Sequence, residues 1–247
     1  MDTAHGPAPS GPLDAIRVDA IILAGGRGSR LGGIDKATLT LDGKPLLDRA
    51  LDAVDEAAVT VVVVGPERVL ASGEDAERIA ASRSGTGPAG AAQLRTARED
   101  PPYGGPAAAT AAGLAALDPD MDEGTWVLLL SCDLVHPAAV VAALLPALRT
   151  AAPGVDAVVG IDPDSCRQPL TAAYRRAPLE AAVASLMTAR GELTGASMRD
   201  LTGGLACVEV PLTSADSADV DTVEDAHRTG VCLPDDPNRP PRPEEDA

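Results

Sequence analysis

Residues 18–36 read Val-Asp-Ala-Ile-Ile-Leu-Ala-Gly-Gly-Arg-Gly-Ser-Arg-Leu-Gly-Gly-Ile-Asp-Lys, and their reading decides the fold. Val18 to Leu23 is the short, mostly apolar run of a strand buried in a parallel sheet. It breaks at Ala24, Gly25 and Gly26, and Arg27, Arg30 and Lys36 follow closely. Small residues after a strand let backbone N–H groups approach a phosphate, and nearby cations neutralise it. Two common phosphate motifs are excluded. Leu31 stands where G-x-G-x-x-G, started at Gly26 and Gly28, needs its third glycine. Lys36 lies between Asp35 and Ala37, which breaks the Walker spacing.

Working outward, strands and helices alternate to about Gly230. That alternation predicts a three-layer α/β/α, Rossmann-like sheet, mostly parallel. Ala37–Leu41 alternates like a short strand, and Pro45 opens a helix with Leu46, Leu47, Ala50, Leu51 and Val54 as its apolar stripe. Val59–Val64, Gln93–Ala97, Trp126–Ser131, Val155–Ile161 and Leu205–Val210 read as strands. Helices are expected over Ala107–Leu117, Ala138–Leu145 (with Pro146 near its end) and Leu179–Met187. Residues 72–90 read as an insertion with one short helix around Glu74–Ala80. Three segments result: a lead without apolar periodicity at 1–17, the domain at 18–231, and a Pro-rich acidic tail at 232–247.

Composition narrows the function. Hydrophobic residues make up 45% of the 247, enough for a core, but Phe is absent and there are one Trp and two Tyr. The core must be Val, Leu, Ile and Ala. A net charge of −17 argues against nucleic acid or an anionic membrane as partner. No run reaches the roughly 20 apolar residues of a membrane span, so a cytoplasmic protein is expected. Cys132, Cys166, Cys207 and Cys232 have no C-x-x-C spacing, and His5, His136 and His227 share no metal spacing with them.

The loop resembles the signature of nucleotidyltransferases that join a nucleoside monophosphate to a phosphorylated acceptor. That pattern is L-A-[GA]-G-x-[GSA]-x-R-[ML]-G-x-D-K, with one extra residue allowed before Asp-Lys. Leu23, Ala24, Gly25, Gly26, Gly28, Arg30, Leu31, Gly32, Asp35 and Lys36 fill it, and Gly43-Lys44-Pro45 stands at the family's G-K-P. A loop that merely turned the chain would need no Arg and Lys at these offsets. Within the family the chain is most similar to the molybdenum cofactor guanylyltransferases, because Leu-Ala-Gly-Gly is the form associated with guanine.

The resemblance implies roles by position. Leu23, Ala24, Gly25, Gly26, Arg27, Gly28, Arg30 and Lys36 would bind GTP, with Arg30 and Lys36 on its phosphates. Asp100, ahead of Gly105-Pro106, would lie against base and ribose. Asp133, where strand Trp126–Ser131 ends, would hold magnesium, and Asp221 in Asp219-Val220-Asp221-Thr222 would be the second ligand. Capping roles compete for both aspartates: Asp133 ahead of a helix near Pro137, and Asp221 or Thr222 ahead of a helix to Arg228. Gln168-Pro169-Leu170 would start an antiparallel edge segment beside the acceptor.

The implied chemistry is transfer of GMP from GTP to a molybdopterin-type phosphate, with Arg30, Lys36 and Asp133 carrying catalysis and Mg²⁺ as cofactor. A monomer or weak homo-oligomer is expected. A CTP-dependent cofactor cytidylyltransferase and a sugar-phosphate nucleotidyltransferase are the alternatives. A nucleotide-binding delivery protein is the non-enzymatic one.

Overall fold

A computed structural model describes residues 16–26, 29–66, 92–119 and 125–233. The proposed helix at 74–80, the rest of the lead and tail, and Arg27 and Gly28 lie outside the described residues. Seven strands form one sheet: β1 (Val18–Leu23), β4 (Thr60–Val64), β5 (Gln93–Ala97), β6 (Trp126–Ser131), β7 (Ala157–Ile161), β8 (Arg167–Arg175) and β9 (Cys207–Pro211). Their order is β5-β4-β1-β6-β8-β7-β9, and β8 alone runs antiparallel to its neighbours. A separate hairpin pairs β2 (Thr40–Leu41) with β3 (Lys44–Pro45).

Strand alternation divides the core between two faces. Ala20, Ile22, Val61, Val63, Leu128 and Leu130 face α1 (Leu46–Asp55) and α3 (Pro137–Thr150). Ile21, Leu23, Val62, Val64, Val127 and Leu129 face α2 (Pro106–Ala115), α4 (Arg176–Arg190) and α5 (Met198–Thr202). The Ala-rich composition of α2 has a steric cause. A Cβ on Gly113 would stand 2.6 Å from Ile21 Cγ2 and 3.1 Å from Val64 Cγ2, so the helix lies almost on the sheet. Under the sheet's C-terminal edge a third cluster joins Leu31, Leu39, Leu46, Val135, Val220 and Ala226, the last from α6 (Val223–Thr229).

Several expectations are corrected. The antiparallel segment is not at an edge: β8 has nine residues and pairs on both sides, with Thr171–Tyr174 buried, while β5 and β9 form the edges. Ala37–Leu41 is not one strand. The Asp35 carboxylate accepts from Ala37 N and winds Lys36–Thr38 into a 3₁₀ turn, leaving two residues to pair. Helix α3 continues through Pro146 to Thr150, four residues beyond the proline. The glycine-studded stretch 191–204 contains α5, started by a Ser197–Asp200 capping box. The fold also reaches slightly further than 18–231: Ile16 packs on the core and Cys232 N donates to Thr40 O at 2.7 Å. Among the described residues no helix is long and apolar enough to cross a membrane.

Candidate active site

Four charged residues meet above the C-terminal ends of β1 and β6, and each is anchored by an apolar neighbour in the third cluster. Leu31 follows Arg30, Leu39 ends the turn begun by Lys36, Val135 lies two residues after Asp133, and Val220 precedes Asp221. Backbone bonds seat the last segment. Val220 N donates to Asp133 O at 3.2 Å, Val135 N donates to Ala218 O at 3.0 Å, and Leu134 bridges Asp219. Chain position 221 is thereby brought to the end of β6.

The Lys36 ammonium donates to Asp133 Oδ2 at 2.8 Å and also to Asp221 Oδ1. Arg30 reaches Asp221 Oδ2 at 3.2 Å from solvent. Burial pulls the Lys36 pKa down, and the Asp133 and Asp221 carboxylates more than offset it, holding it above its ordinary value. Asp219, beside them, is pushed up to about 6 by burial and then by the charges of Asp133 and Asp221. The thiol of Cys132, next to Asp133, faces the core and is raised well above its usual value by burial, which makes it a poor nucleophile.

The capping readings resolve by residue. His136, not Asp133, takes the N-cap position of α3. Thr222 caps α6 in a reciprocal box with Asp225, so Asp221 is left to the ammonium and guanidinium. Because both carboxylates contact one cationic nitrogen, a single cation can be shared between them. Among the described residues no third His, Cys, Asp or Glu completes a metal cluster. Two carboxylates with the remaining positions left to phosphate and water is a donor set that suits Mg²⁺.

Beside this centre lies a cleft of about 290 Å³ whose lining includes Leu23, Gly25, Gly26, Glu99, Tyr103 and Ser131. Ser131 belongs to both parts, since its hydroxyl donates to Asp133 Oδ1. Asp100 does not line the cleft and is exposed; its neighbour Glu99 is 9% exposed and accepts from Tyr103 N at 3.0 Å. Of the two adjacent acids it is Glu99, not the expected Asp100, that lines the cleft, and Ser131 and Tyr103 join the lining without having been expected there. The signal for Glu99 was its place in the same loop, but loop residues carry no alternation to say which side chain turns inward. A larger groove of about 620 Å³ along α1 and the start of α3 holds none of these residues, and the Lys44–Asp52 pair occupies part of its charge.

The model of the MobA-like NTP transferase domain matches residues 20–202. A molybdenum cofactor guanylyltransferase from Acidiphilium cryptum is 60% identical over 35 residues, 14% of this chain and 18% of that protein. The chain spans 18–25% of the length of the curated relatives it matches. Two solved structures share the fold. Molybdopterin-guanine dinucleotide biosynthesis protein A from Archaeoglobus fulgidus has a TM-score of 0.55 at 18% identity, covering 85% of this chain and 96% of that one. The 2-C-methyl-D-erythritol 4-phosphate cytidylyltransferase from Francisella tularensis has a TM-score of 0.61 at 15% identity, covering 87% and 98%.

Proposed function

The chain belongs to the MobA-like NTP transferase family, and on that premise we propose that it transfers GMP from GTP to a phosphorylated acceptor of the molybdopterin type. The observation that carries the reading is the shared contact of Lys36 with Asp133 and Asp221, joined through Ser131 to a cleft for a base. A phosphate oxygen of the acceptor attacks the α-phosphorus of GTP. The new P–O bond forms as the bond to the β-phosphate breaks, and pyrophosphate carries away the electron pair. Such a reaction needs positioning and charge neutralisation rather than a covalent nucleophile.

Asp133 and Asp221 would hold Mg²⁺, which when bound neutralises phosphate charge. Lys36 and Arg30 would bind the β- and γ-phosphates together with the Gly25 and Gly26 amides, and the family motif assigns Arg27 and Gly28 to the same task. Leu23 and Ala24 would back the ribose and base. Guanine presents two adjacent donors, N1–H and the 2-amino group, and the buried Glu99 carboxylate would accept them, its Oε2 having no hydrogen bond to another of the described residues. Cytosine offers one such donor, so Glu99 favours the guanylyl reading over the cytidylyl one. Asp100, being exposed, is left out of base recognition.

The reading carries a cytoplasmic location, where thiols stay reduced. Pyrophosphate release from each nucleoside triphosphate, with and without a molybdopterin-type acceptor, tests it. Release from GTP only with acceptor is the expected result. Release from CTP instead selects the cytidylyltransferase alternative, and tight GTP binding without release selects the delivery protein.

A further inference from the structure

Only three aromatic residues occur in the chain, and two of them, Trp126 and Tyr174, are 1% and 0% exposed. The third, Tyr103, is 44% exposed and lines the cleft that Glu99 lines. Its backbone is also unusual. A φ of 64° places a bulky residue in the left-handed region, with glycines at the next two positions that would take that conformation without strain. Glu99 holds it there, accepting the Tyr103 N–H at 3.0 Å on Oε1. One bond therefore ties the carboxylate to the backbone of the residue that carries the ring.

The loop that carries the ring has little room to retreat. A Cβ on Gly104 would stand 2.9 Å from Ala108 Cβ and 3.2 Å from Pro101 O, so the segment after Tyr103 lies against α2. A strained backbone, a fixed loop and an exposed aromatic residue in the cleft lining are the features of a binding wall rather than of core packing. We infer that Tyr103 stacks on the nucleobase, closing the outer side of the cleft while Glu99 reads the base's edge. Stacking is indifferent to hydrogen-bond pattern but grows with ring area, so Tyr103 supplies affinity for any base and more for a purine.

This rests on the cleft being the base site of the proposed reaction, and the test separates the two. Affinities of GTP, CTP and inorganic triphosphate would be measured calorimetrically in Mg²⁺ for the wild type, Tyr103→Phe and Tyr103→Ala. Inorganic triphosphate has no base, so it reports loop and phosphate-site integrity. Tyr103→Ala is expected to weaken GTP about tenfold, equivalent to about 1.4 kcal/mol, to weaken CTP less, and to leave inorganic triphosphate within about twofold. Tyr103→Phe should bind all three like the wild type. Unchanged GTP affinity in Tyr103→Ala overturns the stacking role, as does an equal loss for GTP and inorganic triphosphate. A wild type that binds GTP no more tightly than inorganic triphosphate overturns the base cleft itself, and with it the proposed function. Normal stacking behaviour with no transfer to any acceptor leaves this inference standing and removes only the transferase reading.

Discussion

The Lys36 ammonium lies 2.8 Å from the Asp133 carboxylate while it also contacts Asp221, so one cation holds together two acids from distant parts of the chain. Asp133 is 8% exposed, and removal of Lys36 takes away the cation it shares with Asp221, leaving, among the described residues, Arg30 on Asp221 and only the Ser131 hydroxyl on Asp133. Lys36→Ala should therefore lower the thermal midpoint of the metal-free protein by several degrees, at roughly 2–4 °C per kcal/mol for a domain of this size. Added Mg²⁺ should recover more of the midpoint in the variant than it adds to the wild type. Equal metal effects in thermal melts of both proteins would show that Lys36 and the metal do not share the carboxylates.

Asp133→Asn keeps the shape of the site and removes charge. Turnover should fall by at least about a hundredfold with little change in folding, because the end of β6 keeps its backbone bonds to residues 218–220. Circular dichroism with pyrophosphate release reads both. Near-normal rates at saturating Mg²⁺ would remove Asp133 from the metal.

Base choice should follow Glu99. Glu99→Gln replaces an acceptor pair by one acceptor and one donor, and should cut kcat/KM for GTP by tenfold or more relative to CTP. Gly25→Ala is a milder probe. Its added Cβ would stand 3.8 Å from Glu99 Oε1, an ordinary contact, so the protein tolerates it and any loss of GTP use comes from the ligand. The GTP to CTP ratio of kcat/KM for the two variants checks both expectations, and an unchanged ratio in Glu99→Gln would place base reading elsewhere.

Asp219 predicts a pH dependence. Its folded pKa, about 6, is above the usual 3.8, so the folded state binds the proton more tightly than the unfolded one. Its effect on stability is then most favourable at low pH, declines as pH rises through this window, and is a constant penalty above about 6. Asp219→Asn should raise the metal-free thermal midpoint by about 1–3 °C at pH 8 and by little below pH 4, a modest size because the side chain keeps contact with solvent. Melts across that pH range would show whether the gain grows upward, as required.

Gly113→Ala tests how closely α2 lies on the sheet. Helix propensity alone favours alanine by about 1 kcal/mol, but the new methyl would meet Ile21 Cγ2 at 2.6 Å and Cδ1 at 3.0 Å. Overpacking of about 1–3 kcal/mol outweighs the gain, and the midpoint should drop by a few degrees.

Strands β1 and β6 were legible in the sequence because continuous apolar runs mark strands covered on both faces. The charged centre was legible because Arg30, Lys36, Asp133 and Asp221 stand at positions of motifs that resemble the family's. The insertion of β8 between β6 and β7 was not, since its pairing with β6 joins residues 41 to 49 positions apart and leaves no local mark. Nor was Glu99 against Asp100, which an irregular loop decides by backbone path. Tyr174 and Tyr103 look alike in sequence, yet one donates its hydroxyl to Pro169 O inside the core and the other lines a cleft.

Lys36 and Asp221 are 185 positions apart, and the segment after α6 returns to pair Cys232 with Thr40. On the ribosome the N-terminal loop and the strands up to β6 emerge long before residue 219. The nascent domain can thus condense its sheet while the second acid bound by Lys36 is still unmade. A chain clipped ahead of Val220 would keep most of the sheet but lose Asp221 together with the Val220 N–H bond to Asp133 O. On the proposed reading, a chain that stops before residue 221 lacks one of the two acids that Lys36 holds together, so the metal site is completed only once that residue has been made.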